Sequence, residues 1–339
     1  MAYYDTINLE KGMYTITGKS FSEVLEELDP SGNYKNTEFE GLDAFQRQLK
    51  RFDIKVSGPK SDTISKFFNT TQSAALFPEY IRRVVMRSID DNSVVSDVVA
   101  STSYIDSMDF RTIVSTMDPA NLALTYTAEG ATIPEITLKL KDRLVKLAKK
   151  GRTIVSSYEA LKFQKIDAFS TILKQIGDYI AISAFYDCID VIVDASDEGN
   201  DEIKSISLAD KTKGVTYEDL VNLYQKMYPY KMNTLVVTLD TLKTILMMSE
   251  MRDGSSGLNF HGTGNIVTPL GAKIIPYYQG TGMLMALDKR YAVEMLKAGD
   301  VQVEHDKLID RQLDRTVITS IYGFSKLSHD AAIEVLTSE

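Results

Sequence analysis

The sequence predicts an α+β protein built from more than one domain. Three observations carry this: apolar residues at helical spacing from 166 to 193, an apolar–basic alternation at 136–141, and a strand-rich C-terminal end. At 339 residues the chain exceeds the size at which one hydrophobic core stops growing. Its 44% apolar and 25% charged residues are those of an ordinary globular protein, which excludes disordered and fibrous classes. The net charge of −9 lacks the surplus of Lys and Arg that phosphate neutralisation needs. It suits a protein that stays soluble, or one that contains DNA without adhering to it.

The first seventy or so residues read as accessory. Ser20 to Glu23 opens a short helix with Val24, Leu25 and Leu28, stopped by Pro30 and Gly32. A second short pattern uses Leu42, Phe45, Leu49 and Phe52, with Arg47, Lys50 and Arg51 on its outer face, and Gly58-Pro59 ends it. Helices this short need a neighbouring surface, so the region is either a partner-binding arm or ordinary N-terminal decoration. Leu76-Phe77-Pro78 opens a longer helix bearing Ile81, Val84, Val85 and Ile89, and 93–115 reads as short strands.

In Ile136-Thr137-Leu138-Lys139-Leu140-Lys141 the period of two puts apolar side chains on one face and lysines on the other. Asp142-Arg143 is expected to turn the chain, 144–150 to return, and Gly151 to end a hairpin. A lone hairpin is marginal in water, and nothing adjacent in sequence covers its apolar face, so the cover is expected from another copy. Lys139, Lys141, Arg143, Lys146, Lys149, Lys150 and Arg152 stand against Asp142 alone. They read as a cationic finger reaching an acidic neighbour, or as a solvated edge that blocks strand pairing. A nucleic-acid finger is a third reading, though no aromatic residues interleave to stack bases.

Next, Ser156 and Glu159 have capping-box spacing for a short helix to Phe163. Asp167 can cap a long helix whose stripe is Ile166, Phe169, Leu173, Ile176, Ile180 and Ala184, about 40 Å long if it reaches Val193. The polar stretch 194–213 is a plausible boundary. Beyond it, Thr216 with Asp219 caps a helix carrying Leu220, Leu223 and Met227, and Thr234–Thr238 reads as a buried strand. Asp240 starts another helix, 254–257 is a turn, and 271–276, 282–287, 301–303, 315–324 and 331–336 read as strands.

No catalytic constellation stands out, so an enzyme is not expected. Cys188 is the single cysteine and reads as a small buried residue. His261, His305 and His329 are scattered, without metal-ligand spacing. Gly262-Thr263-Gly264-Asn265 lacks the Lys-Ser/Thr of a phosphate loop, and Glu129 and Glu135 lie in no evident pocket context. No cofactor, metal or small-molecule substrate is implied. The N-terminus has no signal pattern, and the longest apolar run is interrupted by Asp187 and Asp190.

The ordered features resemble the major capsid proteins of tailed bacteriophages with the Hong Kong 97 fold. The residues that carry this are Tyr126-Thr127-Ala128-Glu129-Gly130-Ala131-Thr132-Ile133-Pro134, the hairpin, Ser157-Tyr158-Glu159 and the long helix that follows. The resemblance, over about 76–336, implies an N-terminal arm region at 1–75 and the first part of a peripheral (P) domain at 76–125. It further implies an extended loop (E-loop) at 126–155, the P-domain spine helix at 156–196 and an axial (A) domain at 197–299. P-domain strands at 300–328 and a return to the A domain at 329–339 complete the order.

By the same resemblance the chain is expected to self-assemble through hexamers and pentamers into an icosahedral head around double-stranded DNA. Scaffold and portal proteins are the other implied partners, with weak non-specific contact to DNA and none to membrane. The setting is the virion, after assembly in the host cytoplasm. The E-loop would lie across the adjacent subunit and cover Ile136, Leu138 and Leu140. Some relatives join an E-loop lysine to a late asparagine; no Asn follows Asn265, so no such bond is expected. Relatives often lose a scaffolding segment to a protease; with Met1 present, retention of the N-terminal region is expected. An encapsulin-type nanocompartment and an α/β enzyme with a site in 194–299 are the alternatives.

Overall fold

A computed structural model describes residues 4–16, 19–92, 94–107, 109–111, 113–115, 126–127, 129–130, 138–140, 144–193, 203–208, 214–252 and 266–336. The chain divides into two compact units. Unit 1 holds Met1–Asn92, Lys149–Ile180 and Asp300–Ser320; unit 2 holds Ser93–Ala148, Ala181–Gly299 and Ile321–Glu339.

Unit 1 begins with α1 (Phe21–Leu28) and α2 (Ala44–Arg51), each opened by a reciprocal cap. Ser20 Oγ accepts the Glu23 N–H while the Glu23 carboxylate accepts the Ser20 N–H, and Asp43 and Gln46 do the same for α2. Such caps are worth about 1 kcal/mol each and let eight-residue helices persist. After α3 (Thr71–Ala74) comes α4 (Leu76–Asp91), which buries Leu76, Phe77, Tyr80, Ile81 and Val85. Phe21, Leu25, Phe45, Leu49, Ile64 and Phe67 share its core, so the short N-terminal helices find their surface within unit 1.

Arg47 corrects the expected outward face of α2. Its side chain is 0% exposed, with Nε 2.7 Å from Asp29 Oδ2 and Nη1 donating to the Leu42 carbonyl at 2.6 Å. The guanidinium lies 4.1 Å from the Tyr34 ring centre, and the Tyr34 hydroxyl donates to Asp29 Oδ1. A helical face read from polarity places arginine outside; the buried acceptor eighteen residues earlier places it inside.

Unit 2 opens with β1 (Val99–Tyr104), β2 (Asp109–Phe110), β3 (Ile113–Ser115), β4 (Leu138–Leu140) and β5 (Val145–Lys146). Here the expected hairpin is corrected. Asp109↔Lys146 and Phe110↔Val145 pair antiparallel, as do Ile113↔Leu140, Val114↔Lys139 and Ser115↔Leu138. The rising arm therefore carries β2 and β3 and the falling arm β4 and β5, so Val145–Lys146 does not return against Leu138–Leu140. Alternation identifies a strand without naming its partner, and Asp-Arg lacks the left-handed preference of an Asn-Gly turn.

In β6 (Ala148–Ser157) the chain runs straight through Gly151 instead of stopping there. A Cβ on Gly151 would stand 2.6 Å from the Ile318 carbonyl oxygen, so glycine serves a close strand approach. Next, α5 (Tyr158–Phe163) is capped by Ser157, whose hydroxyl accepts the Ala160 N–H, a correction to the expected Ser156–Glu159 pair. The long α6 (Ile166–Val193) has 28 residues. Its first part buries Ile166, Phe169 and Leu173 in unit 1; its second buries Ala184, Phe185, Cys188, Ile189 and Ile192 in unit 2. At Gly177 a Cβ would come within 2.6 Å of Ser88 Cβ, so α6 meets α4 closely there.

The remaining elements are β7 (Lys204–Ser207), α7 (Tyr217–Lys226), β8 (Thr234–Thr238), α8 (Leu239–Met247), α9 (Ser249–Arg252), β9 (Lys273–Tyr277), β10 (Met283–Leu287), β11 (Val293–Lys297), β12 (Gln302–Leu308), β13 (Leu313–Lys326) and β14 (Ala332–Leu336). One sheet has the order β7-β14-β10-β8-β9, with β8–β9 and β14–β7 parallel. Val236 on β8 packs with the α6 residues, while Leu235 and Val237 pack with Leu220, Leu223 and Ile245 of α7 and α8. Coverage on both faces explains the unbroken apolar run at 235–237. In the other sheet β11 pairs β1 in parallel and residues 322–326 of β13 antiparallel, while residues 313–319 pair β12.

Candidate assembly surface

The residues marked out by sequence fall into three groups. Ile136, Lys141 and Arg143 lie outside the described residues. Leu138, Lys139 and Leu140 form β4 on the falling arm, and Lys146 follows in β5. Lys149 and Lys150 stand exposed on β6, joined by Arg152. The strand leads into α5, where Lys162 and Phe163 are exposed, Phe163 to 74%. Val155 is 53% exposed and shares its strand face with Lys149 by period two. Lys150 and Arg152 take the opposite strand face, so β6 and α5 form a ridge with cations on both sides and with Val155 and Phe163 uncovered.

Sequence reasoning missed a second surface, in unit 2. Val221, Tyr224 and Tyr228 are exposed at helical spacing, on the stripe next to the buried Leu220, Leu223 and Met227. The signal was available: 217–228 is apolar on two faces, and one core covers only one of them.

Among the described residues, several groups that could have carried chemistry are held in structure. The Cys188 thiol is fully buried, which pushes it far above its usual range and leaves no thiolate at neutral pH. His305 places Nδ1 3.0 Å from Asp314 Oδ1 and 3.1 Å from Thr316 Oγ1, with its ring between Phe68 and Phe77. His329 lies by Asp330, and His261 falls outside the described residues. Burial opposes ionisation of Asp288, but the Arg290 guanidinium and the N–H groups of Lys231, Arg290 and Asn233 outweigh it, holding the carboxyl below its usual range. Asp288 thereby ties the turn after β10 to the start of β8. Among the described residues no group of three or more His, Cys, Asp or Glu is placed to hold a metal, and no helix is long and apolar enough to cross a membrane.

The chain matches no protein-family model and no curated protein. Solved structures are similar in fold. The virus-like particle from Pyrococcus furiosus is 11% identical with a TM-score of 0.50, over 76% of this chain and 98% of that one. The capsid of a native GTA particle is 13% identical with a TM-score of 0.51, over 71% and 89%. The capsid of the cyanophage P-SCSP1u is 15% identical, with a TM-score of 0.48 over 72% and 88%. The fold is thus the α+β, Hong Kong 97-type fold of capsid subunits. The resemblance to tailed-phage major capsid proteins read from the sequence holds in three dimensions at low identity.

Proposed function

We propose that the chain is the major capsid protein of a tailed phage. It assembles through hexamers and pentamers into an icosahedral shell around double-stranded DNA, with scaffold and portal proteins as further partners, in the host cytoplasm. The observation that carries this reading is the fold itself, similar along most of the chain to a virus-like particle and to a GTA capsid. The β2–β5 and β3–β4 pairings support it as the E-loop, the 28-residue α6 as the P-domain spine and the β8-centred sheet as the A domain. Exposed apolar side chains on α5 and α7 are what a subunit presents to its neighbours.

The similarity to the Pyrococcus particle favours a second reading, a nanocompartment shell that houses protein cargo. Purified particles separate the two. Nuclease-protected double-stranded DNA in particles made during infection supports the phage head, whereas DNA-free particles that copurify with an enzyme support the compartment. Replacing Leu138 and Leu140 by Asp should block particle formation while leaving the monomer folded. Particles that persist in that variant would remove the hairpin from the assembly contact.

A further inference from the structure

Unit 1 carries its charge unevenly. Residues 149–165 hold five basic side chains against the one carboxylate of Glu159, whereas residues 4–45 hold nine acidic side chains against three basic ones. On the basic side, Lys149 and Arg152 are exposed and have no ion-pair partner among the described residues. Val155 and Phe163 stand uncovered along the same ridge.

On the acidic side, α1 exposes Glu23 and Glu27, the latter paired with Lys19 at 2.5 Å. Glu26 accepts the Ala44 N–H at 3.2 Å, which holds α1 against the start of α2. The turn leading into α2 exposes Glu38 and Glu40. Leu28, 55% exposed, ends α1 within this acidic segment.

Each surface therefore pairs a surplus of one charge sign with apolar side chains that lack cover. That composition fits an interface in which apolar residues form the centre and charges the rim. We propose that the cationic β6–α5 ridge of one subunit docks on the acidic α1–α2 face of a second copy. Val155 and Phe163 meet Leu28, and Lys149 and Arg152 meet the exposed glutamates. The inference rests on the shell reading and names the partner surface for the basic segment. Each copy contributes one ridge and one face, so the contact is head-to-tail and can repeat around a ring. Charge sets approach and register, and the apolar centre slows dissociation. Nucleic acid fits the ridge less well, because Val155 offers nothing to a phosphate backbone, Phe163 is a single aromatic where base stacking uses a series, and every copy already supplies an acidic face.

Zero-length carbodiimide cross-linking of a mixture of 14N- and 15N-labelled protein tests this, read by mass spectrometry over a concentration series. The expected result is mixed-isotope cross-links from Lys149, Lys150 or Lys162 to Glu23, Glu27, Glu38 or Glu40. They should fall at least tenfold in Lys149→Glu/Arg152→Glu. Mixing that variant with Glu38→Lys/Glu40→Lys protein should restore association, with the cross-links reversed in direction. Particles that form without these cross-links overturn the contact and leave the shell reading intact. Ridge cross-links to other segments, or a ridge protected until nuclease is added, also overturn it. Protein that stays a monomer by light scattering at the highest concentration overturns both.

Discussion

Unit 1 contains two cationic segments whose charge goes to different places. Arg47 on α2 is wholly buried, satisfied by Asp29, the Leu42 carbonyl and the Tyr34 ring within its own unit. Lys149 and Arg152 on β6 are exposed, with no ion-pair partner among the described residues. Residue type is nearly the same; the difference is a nearby acceptor. The N-terminal segment closes on itself and builds the core of unit 1, whereas the β6–α5 segment leaves Lys149, Arg152, Val155 and Phe163 exposed.

The comparison breaks if the two kinds of cation respond alike to mutation. Arg47→Met strands Asp29 as a buried, unpaired charge and should cost about 4 kcal/mol, measured by denaturant unfolding. Adding Asp29→Leu to Arg47→Met should recover most of that loss, since an apolar pair of similar volume is often neutral. In unit 2, Asp288→Asn removes a charge held by Arg290 and several N–H groups, with an expected loss of about 3 kcal/mol.

Asp288 also sets a pH dependence. Its folded pKa is lowered, so its stabilisation is complete above the unfolded value of about 3.9 and is lost as pH falls through the folded value. Thermal melting of the wild type should drop below about pH 4, and Asp288→Asn should flatten that part of the profile. Gly177→Ala forces a methyl group against Ser88 and the Val85 carbonyl and should cost about 2 kcal/mol. The smallest change in stability, within about 0.5 kcal/mol, is expected for Lys149→Glu/Arg152→Glu, whose effect falls on association. A large loss of monomer stability in that variant would place the ridge among internal contacts and erase the distinction.

Much of the fold was legible because periodicity survives without tertiary context. The stripe from Ile166 to Ala184, the helix opened at Ser20, the cap at Thr216 and the run at 234–238 all appear as read. What failed needed a partner distant in sequence. Leu138–Leu140 shows that it is a strand, but only the register with Ile113–Ser115 shows which arm it forms. Arg47 reads as surface until Asp29 is seen beside it. At Gly151, chain termination and close strand approach look the same in sequence, and Ile318 decides between them. In the candidate surface, Lys149 and Lys150 were legible from charge alone. The exposure of Val155 and Phe163 was not, because an apolar residue shows no sign in sequence of whether anything covers it.

The most direct test of the shell reading is negative-stain electron microscopy of the expressed chain across a concentration series, alone and with any scaffold. Closed shells or capsomer rings are the predicted result. A discrete single-subunit particle at every concentration would contradict it.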